Sequence, residues 1–457
     1  MLLTAVTATL FTLFPAQQTD VLDDRMNAPA PFEVDGLTGV GIDINTLEAK
    51  VVFDLETKTA SVVADLKFRM TGDGGMPIFD LRQEITSAKL NGKKIDPEKM
   101  APHKFGKTAG TMRIIEKKLD AKSEHHLHLE YSLAKPQSPS AIEIGWGEGT
   151  LDWDFYFSDL NHGRYMEMWF PANLIYDRFG FEFDLEIKGL KEEHEIVTNG
   201  TIAELGKTHW QLSFPEHYTA FSHMLVIVPS KDVERTTASA TLPGNKKVEV
   251  DVCRRKNTSV TNEGVHELVV EHMTDFTEST GEWPHGDRCT VFVWTGGRSM
   301  EYDGATTTSM GALSHELHHS WYGRGVKPRS QNDGWYDEAW TVFAADGFRG
   351  NEKVVTAEAR KSTLCPTHLP WNRITPNKSY STGALAFGRI AHAIGEEKLM
   401  NLMSLFFDKY KLRTASTQEM EAFLFAATKD PAVKQIFHRY IYGRDGSWTD
   451  AADSKKD

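Results

Sequence analysis

The chain has 457 residues, of which 40% are hydrophobic and 25% are charged. This length suits two or three domains, and the composition excludes a largely disordered protein. The formal net charge of −13 argues against nucleic acid as a main partner.

The N-terminus carries a short apolar run, from Leu2 to Phe14. The run is too short to span a bilayer as a helix and resembles the apolar part of a secretory signal peptide, with cleavage predicted after Ala16. No Lys or Arg precedes it. An N-terminal strand or tail is therefore the alternative. The signal peptide (1–16) predicts export to the periplasm or medium, whereas the alternative predicts a cytoplasmic protein. No later run is apolar enough for a transmembrane helix.

Residues 20–235 predict an all-β, mostly antiparallel domain. Apolar residues recur at every second position, which is typical of strands with one buried face. These segments are 49–55, 62–70, 127–133 and 179–187. Between them, Asn91-Gly92 predicts a tight hairpin turn.

Histidines and cysteines outside the central motif do not predict a second metal site. His126 and His128 share one face of a predicted strand, but the sequence pairs no carboxylate or Cys with them, so solvated histidines are favoured. Cys253, Cys289 and Cys365 include no C-x-x-C pair, which excludes a disulfide framework and a Cys zinc site. One disulfide with one thiol, and three buried thiols, are both compatible with the sequence.

Residues 236–448 predict a second domain of strands and helices, followed by a frayed tail at 449–457. From Thr306 onward the apolar spacing predicts helices. A capping box from Ser416 to Glu419 predicts the start of a late helix. The other predicted elements are strands at 246–253 and 289–294, and helices near 261–281, 384–394, 397–412, 417–428 and 431–442.

The segment His315-Glu-Leu-His-His319 fits the pattern H-E-x-x-H. Each helical residue turns by about 100°, so His315 and His319 lie one turn apart on the same face. Two imidazoles so placed bind one Zn²⁺, with Glu316 beside the open coordination position as a candidate base. His318 points elsewhere and is predicted to pack behind the ligands. The flanking apolar residues predict a buried helix, which favours a metal over a solvated polar face.

A third ligand is predicted at Glu338, nineteen positions after His319 (338 − 319 = 19). Two His and one Glu make a catalytic zinc site, because a structural zinc uses four protein ligands. Asp346, two turns after Glu338, is a candidate to orient a ligand histidine.

These motifs resemble those of the aminopeptidase N family of gluzincin zinc metallopeptidases. That family carries H-E-x-x-H, then eighteen residues, then Glu in the context W-x-x-E, which Trp335-Tyr-Asp-Glu338 matches. The resemblance implies an α+β multidomain fold, with a saddle-like β domain followed by a thermolysin-like catalytic domain that ends in a helical bundle. It also implies one Zn²⁺ per chain, and peptides with a free N-terminus as substrates.

The resemblance implies two further roles. The family's G-x-M-E-N motif, whose Glu holds the substrate amine, is similar to Gly297-Arg-Ser-Met-Glu-Tyr302 and implies that role for Glu301. The family's Y-x-K-G motif, whose Tyr stabilises the transition state, is similar to Tyr380-Ser-Thr-Gly383, with Thr382 in place of Lys. The residues alone leave alternatives: Glu301 as a solvated turn residue and Tyr380 as a half-buried loop aromatic.

The chain also departs from the family pattern. The link from Glu301 to His315 is short, and the sequence ends where many relatives continue into a helical domain over the site, so we expect a more open site. The β domain of relatives adds a Gln or Glu to amine binding, whereas only Asp159 and Asn161 lie near that position, and neither is assigned the role.

The leading hypothesis is a zinc aminopeptidase that removes N-terminal residues through a metal-activated water. The alternatives are a zinc endopeptidase or other hydrolase on the same scaffold, and a non-catalytic, zinc-stabilised binding protein. The base Glu316 and the candidate Tyr380 argue against the last, because a structural metal needs neither. The sequence predicts neither an oligomeric state nor a preferred side chain.

Overall fold

A computed structural model of the chain describes residues 27–104, 111–136, 143–161, 165–296, 299–347, 360–366, 371 and 375–444. The predicted signal peptide and C-terminal tail lie outside these residues. Among the described residues, no helix has the length and hydrophobicity needed to cross a membrane.

The N-terminal half is built from β-strands, as the period-two pattern predicts. In chain order they are β1 (Phe32–Val34), β2 (Leu37–Asp54), β3 (Thr59–Met70), β4 (Gly74–Phe79), β5 (Ile85–Leu90), β6 (Lys93–Ile95), β7 (Pro102–Lys104), β8 (Thr111–Ile114), β9 (Leu119–Asp120), β10 (Glu124–Ser132), β11 (Gly145–Trp146), β12 (Leu151–Asp154), β13 (Gly180–Lys188), β14 (His194–Thr198), β15 (Thr201–Gly206), β16 (His209–Phe214) and β17 (Leu225–Pro229).

A large curled sheet dominates this half, with the strand order β15-β16-β13-β2-β3-β10-β5-β6. The long strand β2 pairs with β3 and β13 along one part and with β1 and β4 near its start. Its pairing with β3 shifts register between Ile44 and Thr46. Such an irregularity bends a strand and raises its twist, which lets one strand serve both parts of a saddle. A smaller sheet follows the order β11-β12-β17-β14.

The hairpin between β5 and β6 confirms the predicted tight turn. Asn91 and Gly92 form its two-residue loop, with φ of 52° and 73°. Positive φ at both positions is the requirement of a type I′ turn, which explains the Asn-Gly pair.

The histidines of β10 have a partner that the sequence did not predict. Asp65 lies opposite His128 on the neighbouring strand β3. Its Oδ1 is 2.6 Å from His126 Nε2 and 2.9 Å from His128 Nδ1. The register between strands β3 and β10, rather than closeness in the sequence, places Asp65 next to His126 and His128. The two histidines are therefore hydrogen-bonded as well as partly solvated.

The second half contains both strands and helices. Its strands are β18 (Val233–Leu242), β19 (Lys246–Arg255), β20 (Arg288–Val293), β21 (Met300–Tyr302), β22 (Ala305–Thr308), β23 (Val326–Pro328) and β24 (Arg413–Ala415). Its helices are α1 (Asn262–Ser279), α2 (Leu313–His318), α3 (Trp335–Ala344), α4 (Thr382–Ile394), α5 (Glu396–Tyr410), α6 (Thr417–Thr428) and α7 (Pro431–Ile436), the last continuing into a π-helix at Phe437–Ile441.

A five-stranded sheet, in the order β18-β19-β20-β22-β21, carries the helices of this half. The capping box at Ser416 is present, with both reciprocal bonds to Glu419. The expectation of helix from Thr306 onward is wrong for its first residues, since β22 reaches Thr308. Three consecutive threonines favour a strand, and β22 pairs with β20 on one side and β21 on the other.

The two halves pack against each other near β21. Apolar residues of β20 and β21, including Phe292, Met300 and Tyr302, belong to the core of the N-terminal half. The three cysteines are buried and unpaired, so the interpretation as three buried thiols holds. The domain boundary at 235/236 stays a prediction. In the structure β18, which begins at Val233, already pairs with β19 of the second half.

Candidate active site

The three predicted metal ligands meet between α2 and α3. His315 Nε2 lies 3.2 Å and His319 Nε2 lies 3.4 Å from the same oxygen of Glu338, Oε2. The potential ligand atoms of the three residues lie within 4.8 Å of one another. Although α2 ends at His318, His319 keeps helical angles (φ −58°, ψ −20°), so both histidines still face one side.

Two aspartates fix the orientation of the histidine rings. Asp346 Oδ2 accepts from His315 Nδ1 at 3.0 Å, which is the contact that the sequence suggested. Asp337 Oδ1 accepts from His319 Nδ1. Sequence reasoning missed Asp337, although its place directly before Glu338 was the available signal. With both Nδ1 atoms donating, both Nε2 atoms present lone pairs towards Glu338.

This donor set fits Zn²⁺. His319 Nε2 is buried and makes no hydrogen bond to any described residue. Two imidazole lone pairs directed at one carboxylate oxygen are stabilised by a cation between them, which a metal ion can supply. Two nitrogens and one carboxylate oxygen, with ring tautomers set by carboxylates, are the ligands of catalytic zinc.

His318 does not join the ligands, in line with its predicted packing role. Its Nδ1 is 2.9 Å from Thr341 Oγ1, and its ring packs edge-on against Phe276, with centroids 4.9 Å apart. It therefore supports α2 from behind.

Glu316 faces the ligands from the same helix and is only 7% exposed. Its Oε2 is buried without a hydrogen bond to the described residues. Burial, and then the negative charge of Glu301, raise the pKa of Glu316 to about 8. A divalent cation at the three ligands would favour the charged form and lower this pKa. The carboxyl is thus placed to accept and release a proton near neutral pH.

Tyr380 lies at the metal ligands, in the turn before α4. Its hydroxyl donates to Glu338 Oε1 at 2.5 Å, and its ring lies nearly parallel to that of His315. Burial, and then the charge of Glu338, raise the pKa of Tyr380, so its hydroxyl keeps its proton. It is therefore a hydrogen-bond donor at the edge of the centre.

Glu301 is buried on β21, which excludes a solvated turn residue. One of its oxygens lies within 4.8 Å of a nitrogen of His319 and an oxygen of Asp337. Its Oε1 accepts from Arg324 Nη2 at 2.6 Å, an ion pair that the sequence reasoning missed. The start of the related motif, Gly297, lies outside the described residues.

The N-terminal half contributes Asp159 to the same site. Asp159 is buried, and burial followed by the charges of Glu338, Glu301 and Asp337 raises its pKa. These charges act on Asp159 because the carboxyl groups lie near one another. Asn161 instead donates to Ser158 Oγ at 3.2 Å, within its own loop.

Comparison with known proteins identifies the fold. No protein-family model and no curated protein sequence matches the chain. Among solved structures, the M1 zinc metallopeptidase from Deinococcus radiodurans is 16% identical, with a TM-score of 0.61, over 89% of this chain and 96% of that chain. A mutant of that enzyme bound to the substrate Tyr-Ser-Ala is similar to the same degree.

A second similar structure is Legionella pneumophila aminopeptidase A in complex with aspartic acid. It is 11% identical, with a TM-score of 0.66, over 91% of this chain and 51% of that chain. At such identities the likeness establishes the fold. The chain therefore has the α+β fold of the aminopeptidase N-like M1 zinc metallopeptidases, with a curled β domain followed by a helical C-terminal region.

Proposed function

We propose that the chain is a zinc-dependent aminopeptidase that removes N-terminal residues from peptides. The observation that carries this proposal is the convergence of His315, His319 and Glu338 beside the unpaired, buried carboxyl of Glu316. The structural neighbours, which are zinc metallopeptidases and an aminopeptidase, support the same chemistry.

His315, His319 and Glu338 would hold one zinc ion per chain. When bound, zinc supplies Lewis acidity, which acidifies water and polarises a carbonyl group. Glu316 takes a proton from the attacking water at its unpaired Oε2 and hands it to the leaving amine. Tyr380 turns its hydroxyl towards the developing oxyanion, a contact worth roughly 3–4 kcal/mol by analogy with other oxyanion holes.

Two buried carboxyl groups would bind the free N-terminus of the substrate. Glu301 and Asp159 lie next to the ligands, one from each half of the chain. An ammonium group is attracted to the carboxylate of Glu301 and can donate to the carboxyl group of Asp159, and this places the scissile bond one residue from the end of the peptide.

A zinc endopeptidase is the second candidate, and one observation favours it. Glu301 is already paired with Arg324, and a carboxylate with a buried cationic partner attracts an ammonium less strongly. Cleavage of N-acetylated peptides as fast as free-amine peptides would support the endopeptidase. A non-catalytic role has no comparable observation in its favour.

The test is hydrolysis of a panel of aminoacyl fluorogenic amides by the purified chain, before and after chelator treatment and zinc readdition. We expect chelator to abolish activity, zinc to restore it, and Glu316→Gln to lower kcat at least a hundredfold. Glu204→Gln, at an exposed position on β15, is the matched control. Chelator-insensitive activity, or a fully active Glu316→Gln variant, would refute the proposal.

We also propose that the protein is exported, on the basis of the apolar run before Ala16. Mass spectrometry of the N-terminus of the protein from its native cells tests this. An intact Met1 in the cytoplasmic fraction would contradict it.

A further inference from the structure

Arg324 holds Glu301 at two points. Its side chain is fully buried, in the loop that follows α2. Nη2 donates to Glu301 Oε1 at 2.6 Å, and Nε donates to the backbone carbonyl of Glu301 at 3.4 Å. Nη1 donates to Gly323 O at 3.0 Å. The planar guanidinium thus fixes both the backbone and the carboxylate of Glu301. A lysine ammonium lacks this rigid set of donors and could not bind both in the same way.

One face of the Arg324 guanidinium contacts the N-terminal half of the chain. Arg324 Cζ lies 3.7 Å from the ring centroid of Phe221, which precedes β17. Phe221 in turn stacks on Tyr165, with centroids 4.9 Å apart. A desolvated cation over an aromatic face is stabilised by the ring quadrupole. The N-terminal half therefore helps to hold the guanidinium that binds Glu301.

The backbone of Arg324 is tied to the metal-binding helix. Its amide donates to the carbonyl of His319 at 2.9 Å. One residue therefore connects the end of α2 to Glu301. The same connection keeps Glu301 close to His319 and Asp337.

The charges around Glu301 explain the need for a cation there. Asp337 and Asp159 lie near Glu301, and like charges so close to one another repel. Arg324 supplies a permanent positive charge that opposes this. Glu301 Oε2 makes no hydrogen bond to any described residue, so this oxygen is available to a ligand.

We propose that Arg324 is the positioning residue for amine recognition. It keeps Glu301 oriented, with Oε1 occupied and Oε2 left for the substrate's ammonium group. By fixing the position of that oxygen, Arg324 sets the preference for peptides with a free N-terminus over blocked peptides, even though its charge also weakens the attraction of Glu301 for an ammonium group. The inference rests on the proposed function, because it assigns Glu301 to the substrate amine.

Binding to zinc-loaded protein in the inactive Glu316→Gln background tests this without turnover. Calorimetry would compare Ala-Phe-Ala with N-acetyl-Ala-Phe-Ala, with Arg324→Gln and Arg324→Lys added separately. We expect the free peptide to bind at least tenfold more tightly than the acetylated one, and Arg324→Gln to remove most of that ratio. Arg324→Lys should recover part of it, because charge is kept and the fork is lost. Zinc content should stay at one per chain.

Arg329→Gln is the matched control. Arg329 follows strand β23, five residues after Arg324, but contacts both oxygens of Glu419 at 2.8 Å, so its loss should leave the ratio unchanged. Phe221→Leu, which loosens the guanidinium and keeps its charge, should lower the ratio about threefold. If Arg324→Gln does not fold, the binding ratios of Phe221→Leu and Arg324→Lys test the proposal instead.

The inference is overturned if the folded Arg324 variants keep the ratio or bind the free peptide more tightly. It is also overturned if the background protein binds both peptides equally. Failure of the proposed function looks different, since wild-type protein would then show no chelator-sensitive hydrolysis. The binding ratio decides the role of Arg324 in either case.

Discussion

Replacing Asp337 by alanine should weaken zinc binding more than the same change at Asp346. Each aspartate accepts from the Nδ1 of one histidine ligand, so both substitutions remove the same kind of bond. Their surroundings differ. The side chain of Asp337 is 5% exposed, whereas that of Asp346 is 39% exposed. Water can replace the lost acceptor at Asp346 but not at Asp337.

The expected magnitudes follow from this difference. A buried partner of a ligand histidine is worth about 10–100-fold in metal affinity, or about 1.4–2.8 kcal/mol. A solvated charged contact is worth about 0–1 kcal/mol, which is at most about fivefold. We therefore expect Asp337→Ala to raise the dissociation constant for zinc by 10–100-fold, and Asp346→Ala by less than about fivefold.

Competition with a chromogenic chelator at pH 7.5 measures both dissociation constants. Thermal unfolding of the metal-free variants would show whether either is damaged independently of zinc. Equal losses at the two sites, or a larger loss at Asp346, would refute the argument from burial.

Three further predictions concern catalysis, backbone geometry and pH. Tyr380→Phe should lower kcat by about 10²–10³-fold at unchanged zinc content, because the oxyanion donor is lost; unaltered kcat would remove Tyr380 from the mechanism. Gly323→Ala should reduce zinc affinity, since Gly323 has φ of +107° and a Cβ there would overlap the Asp337 carboxylate; metal titration checks this, and wild-type affinity would contradict it. His223 is fully buried among aromatic rings, including Phe214, and burial lowers its pKa to about 3. Below its ordinary pKa of about 6.5 the unfolded chain gains a proton that the folded chain rejects, so His223 alone should lower the free energy of unfolding by about 1.6 kcal/mol between pH 6.5 and 5. Chemical denaturation at several pH values should show a shallower fall in His223→Phe, and an identical slope would refute this assignment.

The convergence of His315, His319 and Glu338 was predictable because its signal is local. His315 and His319 lie one helical turn apart, and that spacing alone brings their rings together. Glu338 required a second helix, yet it follows closely in the sequence. The strands were predictable for the same reason, since burial of one face imposes alternation on each strand separately.

What escaped prediction depends on contacts between distant segments. The ion pair of Arg324 with Glu301, and the approach of Asp159, come from separate elements that only the folded chain brings together. Asp65 reaches His128 only through strand register. The error at Thr306 has a different origin, because helical spacing further along was extended back over a run of β-branched residues.

The contact between Phe221 and Arg324 has a consequence for how such a chain changes over time. His315, His319 and Glu338 lie in one short stretch of the second half, whereas the groups around Glu301 come from both halves. Substitutions near Phe221 or Tyr165 can therefore alter which peptides fit while the metal ligands stay as they are. The two halves can therefore accumulate substitutions at different rates. Under the proposed function, substrate selectivity can then change while the metal-binding residues are kept.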